Sequence, residues 1–179
     1  CYVFLQDWRA TLVPSIAIPV SILATFAVMK ALGFNLNILT LFGLVLAIGL
    51  VVDDAIVVVE RTLYLMQSEN LNSKQAATKA MEQVSSAVIA TTLVLLAIFV
   101  PIAFMGGITG KIYQQFAITI SFAVTFSSIN ALTLSPALSA TFLRPFEIKK
   151  TGFLGFFNRF IENTTNKYLI VVGYIGRKI

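Results

Sequence analysis

Leu41-Phe42-Gly43-Leu44-Val45-Leu46-Ala47-Ile48-Gly49-Leu50-Val51-Val52-Asp53-Asp54-Ala55-Ile56-Val57-Val58-Val59-Glu60 is the stretch on which the fold turns. From Ile38 the chain carries no charge until Asp53, and the apolar run resumes at Ala55. As a helix, Ile38 to Val59 is about 33 Å long, enough to cross a hydrocarbon core of ~30 Å. The two aspartates then lie about two thirds of the way along, roughly 10 Å from its cytoplasmic end. A central aspartate costs ~2.5 to 3.5 kcal/mol on insertion scales, so an ionised pair costs on the order of 5 kcal/mol or more. Ending the span at Val52 would avoid that cost, but it would leave Ala55-Ile56-Val57-Val58-Val59 on an aqueous loop. The aspartates therefore belong inside the membrane, where they call for a functional reason.

At 100° per residue the two carboxylates diverge. Asp53 shares its stripe with Gly49 and Leu46, and Asp54 with Leu50, Ala47 and Gly43. Small residues such as Gly43, Ala47 and Gly49 let a neighbouring backbone approach, so both aspartates are expected to pack against protein rather than lipid. Side-by-side carboxylates in such a place cannot both ionise unpaired, and they can load and release protons if a cation moves to and from them. No such cation is at hand, because Lys30 and Lys111 both fall at the opposite membrane face.

The rest of the 179 residues agrees with a membrane setting: 58% are hydrophobic and 12% charged, about half the charged share of ordinary globular chains. There is no histidine and one cysteine, Cys1. This excludes a disulfide framework, cysteine metal sites, zinc hydrolysis, and Ser-His-Asp or Cys-His catalysis. The net charge of +5 is spread singly over 13 basic residues, without the clustered face that nucleic acid requires. Four uncharged stretches approach or exceed the ~18 residues needed to span. They run from Ala10 to Met29, with Pro14 and Pro19 inside, from Ile38 to Val59, from about Val84 to Phe104, and from Ile112 to Leu143. The last would be ~48 Å long as one helix, so it must tilt, kink at Pro136 or project. Cys1 to Leu5 reads as the tail of a further span. The opening without Met suggests a piece of a longer chain.

Placing Arg9, Arg61, Lys74, Lys79, Arg144 and all later cations on one side puts 11 of 13 basic residues there, and that side is cytoplasmic by the positive-inside rule. The outer turns carry Gly33 in one and Gly106, Gly107 and Gly110 in the other. The cytoplasmic link from Arg61 to Gln83 reads as helical, with Ser73 as N-cap. Trp8, Tyr113 and Phe116 read as interfacial anchors. The expected architecture is all-α: a polytopic bundle over residues 1–144, then a cytoplasmic linker and amphipathic interfacial helix over 145–179, where Phe153, Phe156, Phe157, Phe160, Ile161, Thr164 and Tyr168 share a face.

The Leu41 to Glu60 run closely resembles the fourth transmembrane helix of resistance-nodulation-division (RND) multidrug efflux pumps, whose paired aspartates are the proton-translocation site. The likeness extends to Phe4-Leu5-Gln6-Asp7-Trp8-Arg9-Ala10-Thr11-Leu12-Val13-Pro14, to Phe99-Val100-Pro101-Ile102-Ala103-Phe104-Met105-Gly106-Gly107, to Leu134-Ser135-Pro136-Ala137-Leu138 and to Gly152 through Tyr168. It implies proton-driven antiport of hydrophobic or amphiphilic compounds, powered by the proton gradient without a cofactor, with Asp53 and Asp54 as the relay. It also implies a homotrimer in a Gram-negative inner membrane, partnered by a periplasmic adaptor and an outer-membrane channel, and a lysine supplied by another half of the protein. Arg61 departs from the asparagine usual in the hydrophobe-efflux branch. The heavy-metal branch, which typically carries one aspartate here, is the alternative, but no Met or His cluster supports it.

A polar stripe of Ser121, Thr125, Ser128, Ser135 and Ser139 follows one face of the last span. It reads either as helix-packing glue or as a hydrated proton path through Ser121, Thr125 and Ser128. Intramembrane aspartyl proteolysis would need its two carboxylates on separate helices facing one water, and adjacent residues cannot provide that.

Overall fold

A computed structural model describes residue 5 and residues 7–144, apart from the side chain of Val51. The chain divides into two units, residues 1–145 and 146–179. The second unit lies outside the described residues, as do most of the expected tail at Cys1–Leu5 and the expected interfacial helix from Gly152 to Tyr168.

Among the described residues the first unit has five helices with defined bounds: α1 (Trp8–Ala31), α2 (Ile38–Ser68), α3 (Ser73–Ala103), α4 (Gly107–Leu132) and α5 (Leu134–Phe142). Among the described residues four segments are long and apolar enough to cross a bilayer, with α4 and α5 together forming the fourth. The protein is thus an all-α polytopic bundle. In the proposed orientation α1 and α3 rise from the cytoplasmic side, and α2 and α4 descend in parallel. α4 is the hub and packs against all the others, most extensively against α2. α3 is the least covered span; its Ile89, Leu93, Val94 and Ile98 are exposed in an arrangement suited to lipid.

Local chemistry sets the helix ends. Asp7 caps α1 by accepting from the Arg9 N–H at 2.9 Å. At the other end Phe34 N donates to Met29 O and Gly33 N to Lys30 O, a Schellman closure that needs the positive φ of 71° at Gly33. Asn37 opens α2 with a reciprocal capping box, its side chain accepting from Thr40 N while Thr40 Oγ1 accepts from Asn37 N, both at 2.9 Å. Asn72, not Ser73, caps α3, accepting from Gln75 N at 2.9 Å. The Ser73 hydroxyl instead donates to Ala140 O at 2.9 Å and ties α3 to α5.

Two spans differ from expectation. α2 continues past Val59 to Ser68, and α3 begins at Ser73, so most of the expected cytoplasmic link is the projecting ends of two membrane helices. Those ends are joined by the Lys79–Glu69 ion pair at 2.5 Å and by Arg61 Nε donating to Gln83 Oε1 at 2.6 Å. Further on, the long fourth span breaks at Thr133 rather than at Pro136. Proline lacks an N–H and its ring collides with the carbonyl four residues back, so the distortion falls one turn before it. Reporters inserted after Asn70 are expected to signal cytoplasm, and reporters near Asn35 and Gly107 the external side. A cytoplasmic signal at Gly107 would dismantle this topology.

Candidate functional site

Parallel helices in close register bring the candidate groups together. On α2, Gly43 is buried, and a Cβ built there would stand 3.2 Å from Phe116 Cδ2 and 3.4 Å from Phe116 O. The small residue thus lets the α4 backbone come near. Eleven residues further on, three turns in each helix, the Ser127 hydroxyl of α4 donates to Asp54 Oδ2 at 2.9 Å. Ala47 lies between, 2% exposed. Below the carboxylate, Ala55, Val58 and Val59 are buried. Asp54 is half-buried, facing α4.

Asp53 takes the other direction and is exposed. Its face carries Leu46 and Val57, also exposed, and Gly49, where a Cβ would meet open space. The close approach expected at Gly49 is therefore not made by any described residue. Among the described residues, the packing expected around both aspartates is made around Asp54, because one α2 face meets α4, whereas the other, about 100° away, carries Asp53 outward.

Ser127 was not among the hydroxyls picked out from sequence, although it makes the contact with Asp54. Of those that were, Ser128 is buried. Ser121 and Thr125 are half-buried and donate along their own helix, to Ala117 O at 2.8 Å and to Ser121 O at 2.7 Å. Each of these two hydroxyls thus has a protein acceptor for its proton. A second cross-link lies one turn below Ser127, where Asn130 Nδ2 donates to Ser21 Oγ at 2.8 Å and joins α4 to α1. Ser21 is fully buried, and its carbonyl accepts from Thr25 Oγ1 at 2.8 Å. Nearer the outer surface Phe116 stacks on Phe42 at 6.2 Å and meets Phe99 edge-on at 6.3 Å. It packs three helices together, and Trp8 and Tyr113, also expected as anchors, are exposed.

A sequence model of the AcrB/AcrD/AcrF family matches residues 1–178. The chain belongs to that family. Among its relatives are the multidrug export protein AcrF of Escherichia coli (strain K12), 49% identical over 178 residues, which cover 97% of this chain and 17% of AcrF. The solvent-resistant pump membrane transporter SrpB of Pseudomonas putida is 48% identical over 176 residues, covering 96% of this chain and 17% of SrpB. The multidrug resistance protein MdtF of Escherichia coli (strain K12) is 46% identical over 170 residues, covering 93% and 16%. The chain thus spans about a sixth of the length of these relatives. The resemblance to RND multidrug efflux pumps holds, and this AcrB/AcrD/AcrF member is a multi-pass membrane protein. Its Arg61 is half-buried at the cytoplasmic end of the site. There the guanidinium lies 4.9 Å from the Tyr64 ring centre while bonding Gln83, two turns beyond Asp54.

Proposed function

We propose that these residues belong to a transporter that exchanges protons for hydrophobic or amphiphilic compounds across the inner membrane, with Asp53 and Asp54 carrying the protons. The observation behind this reading is the asymmetric pair: one carboxylate hydrogen-bonded to Ser127, the other on an outward helix face amid apolar residues. A carboxylate left in hydrocarbon is costly whichever way it points. Asp53 is thus matched to a cation on part of the protein outside this chain, as the family resemblance also implies. Proton binding removes the charge that holds such a cation, and this gives the bundle two arrangements that a gradient can drive between. No cofactor is needed for that exchange.

The relatives' names, a multidrug export protein and a solvent-resistant pump among them, support drugs and solvents as the substrate class. The working assembly is a homotrimer in membrane lipid, joined to a periplasmic adaptor and an outer-membrane channel. Full-length protein reconstituted in vesicles with a pH-sensitive dye should move protons only when substrate is moved in the opposite direction. Substrate transport that proceeds unchanged after the proton gradient is collapsed would overturn the reading.

A further inference from the structure

We infer that the α5 face bearing Ser135 and Ser139 holds a buried water that forms the cytoplasmic step of proton passage below Asp54, an inference that rests on the reading of the aspartates as proton carriers. The observation is an exception to a pattern. Across the spans, hydroxyls satisfy themselves on the carbonyl four residues back: Thr25 on Ser21, Thr62 on Val58, Thr125 on Ser121 and Thr133 on Ile129, at 2.6 to 2.8 Å. Ser135 and Ser139 are fully buried, and their hydroxyls meet no partner among the described residues. Buried hydroxyls of this kind are normally satisfied by protein or by ordered water.

The break in the fourth span accounts for part of the exception. The carbonyl that Ser135 would ordinarily use, that of Ala131, lies across the discontinuity at Thr133. Pro136 has no N–H to give the Leu132 carbonyl, so the same break supplies an acceptor without its helical donor. Residues four apart on a helix have Cβ atoms roughly 5 to 6 Å apart, a gap that one water can bridge with a hydrogen bond to each hydroxyl. The Leu132 carbonyl, which Pro136 cannot serve, is the candidate for a third bond, since buried waters typically make about three.

The position is also the right one for a relay. Ser135 lies eight residues beyond Ser127, just past the break and further toward the cytoplasmic end of the span. α5 packs against each of the other four helices, so the site is enclosed by the bundle. Past Ser139 comes the Ser73 hydroxyl, bonded to Ala140 O at the cytoplasmic start of α3. The inference thus places this water at the lower end of the polar stripe, where the hydroxyls lack the protein acceptors that Ser121 and Thr125 have.

The test is a map of the full-length protein in lipid nanodiscs at a resolution that shows ordered water, together with export rates in H2O and D2O. The unmodified protein should show density bridging the two hydroxyls. Ser135→Ala with Ser139→Ala should lose it, slow export about tenfold and enlarge the solvent isotope effect. Ser135→Thr, which keeps the hydroxyl, should retain both properties and so controls for misfolding. Hydroxyls found turned onto helix carbonyls with no water between them would overturn the inference, as would normal export by the double alanine variant. Normal export by Asp54→Asn would remove proton passage and this step with it, whereas missing water alongside an inactive Asp54→Asn would remove this step alone.

Discussion

Replacing Asp54 by Asn in the full-length protein is expected to abolish export while leaving insertion and assembly intact. Asparagine has nearly the same shape and keeps a side-chain oxygen that can accept from the Ser127 hydroxyl, so the bond seen at 2.9 Å can re-form. Titration is what is lost. An obligatory carrier that cannot bind a proton stops the cycle, so the fall should exceed about 100-fold. Ser127→Ala provides the scale: a hydrogen bond to a charged group is worth about 1.5 to 3 kcal/mol, which sets a ceiling of roughly 10- to 100-fold and leaves coupling in place. Asp53→Asn should likewise abolish export: it leaves the packing among the described residues untouched, since Asp53 is exposed there, but it also removes the charge proposed to match a cation. If Ser127→Ala proved more damaging than either asparagine variant, the carboxylates would be structural groups holding α2 to α4, not carriers.

Gly110→Ala should be the most destructive substitution of a small residue outside the carboxylate site. A Cβ at Gly110 would stand 2.0 Å from Met105 O and 2.5 Å from Met105 C, both backbone atoms of the turn that feeds α4. A flexible side chain could move aside, but this backbone is fixed by Met105 N donating to Ile102 O at 3.2 Å. The turn must open, at a cost of about 3 kcal/mol, near the upper end for overpacking. Its neighbours act as internal standards. Gly106→Ala meets open space and should be close to neutral. Gly107→Ala is forced to keep a φ of 83° and should cost about 1 to 2 kcal/mol. Thermal stability of the solubilised full-length protein should follow that order, and equal melting of the Gly106 and Gly110 variants would show that the turn is not as drawn.

The spans were legible in the sequence because hydrocarbon tolerates few charges, and the same fact singled out Asp53 and Asp54. Helix ends were not. Hydropathy reports where a bilayer stops, whereas a helix stops where its backbone finds caps, and so α2 runs through Glu60 and Arg61 to Ser68. The long fourth span could tilt, kink at Pro136 or project, and it breaks at Thr133, one turn before the proline whose ring conflicts with the preceding turn. Ser127 escaped notice because its role depends on how α2 and α4 are aligned, and no single helix records that. The alignment could have been sought in the shared eleven-residue step, Gly43 to Asp54 and Phe116 to Ser127. Gly49 shows the converse: a small residue marks room for a neighbour without saying which chain segment supplies it.

At its outer end α4 is fastened to α2, Asn37 Nδ2 donating to Gln115 Oε1 at 2.6 Å. Lower down, α4 is held to α2 again at Ser127 and to α1 at Asn130, so it is pinned at three heights. Below these pins the span breaks at Thr133, and α5 is tied instead to the foot of α3 through Ser73 and Ala140. The upper segment is thus a fixed post and the lower one a separate strut, which can be reset at its joint without unfastening the post.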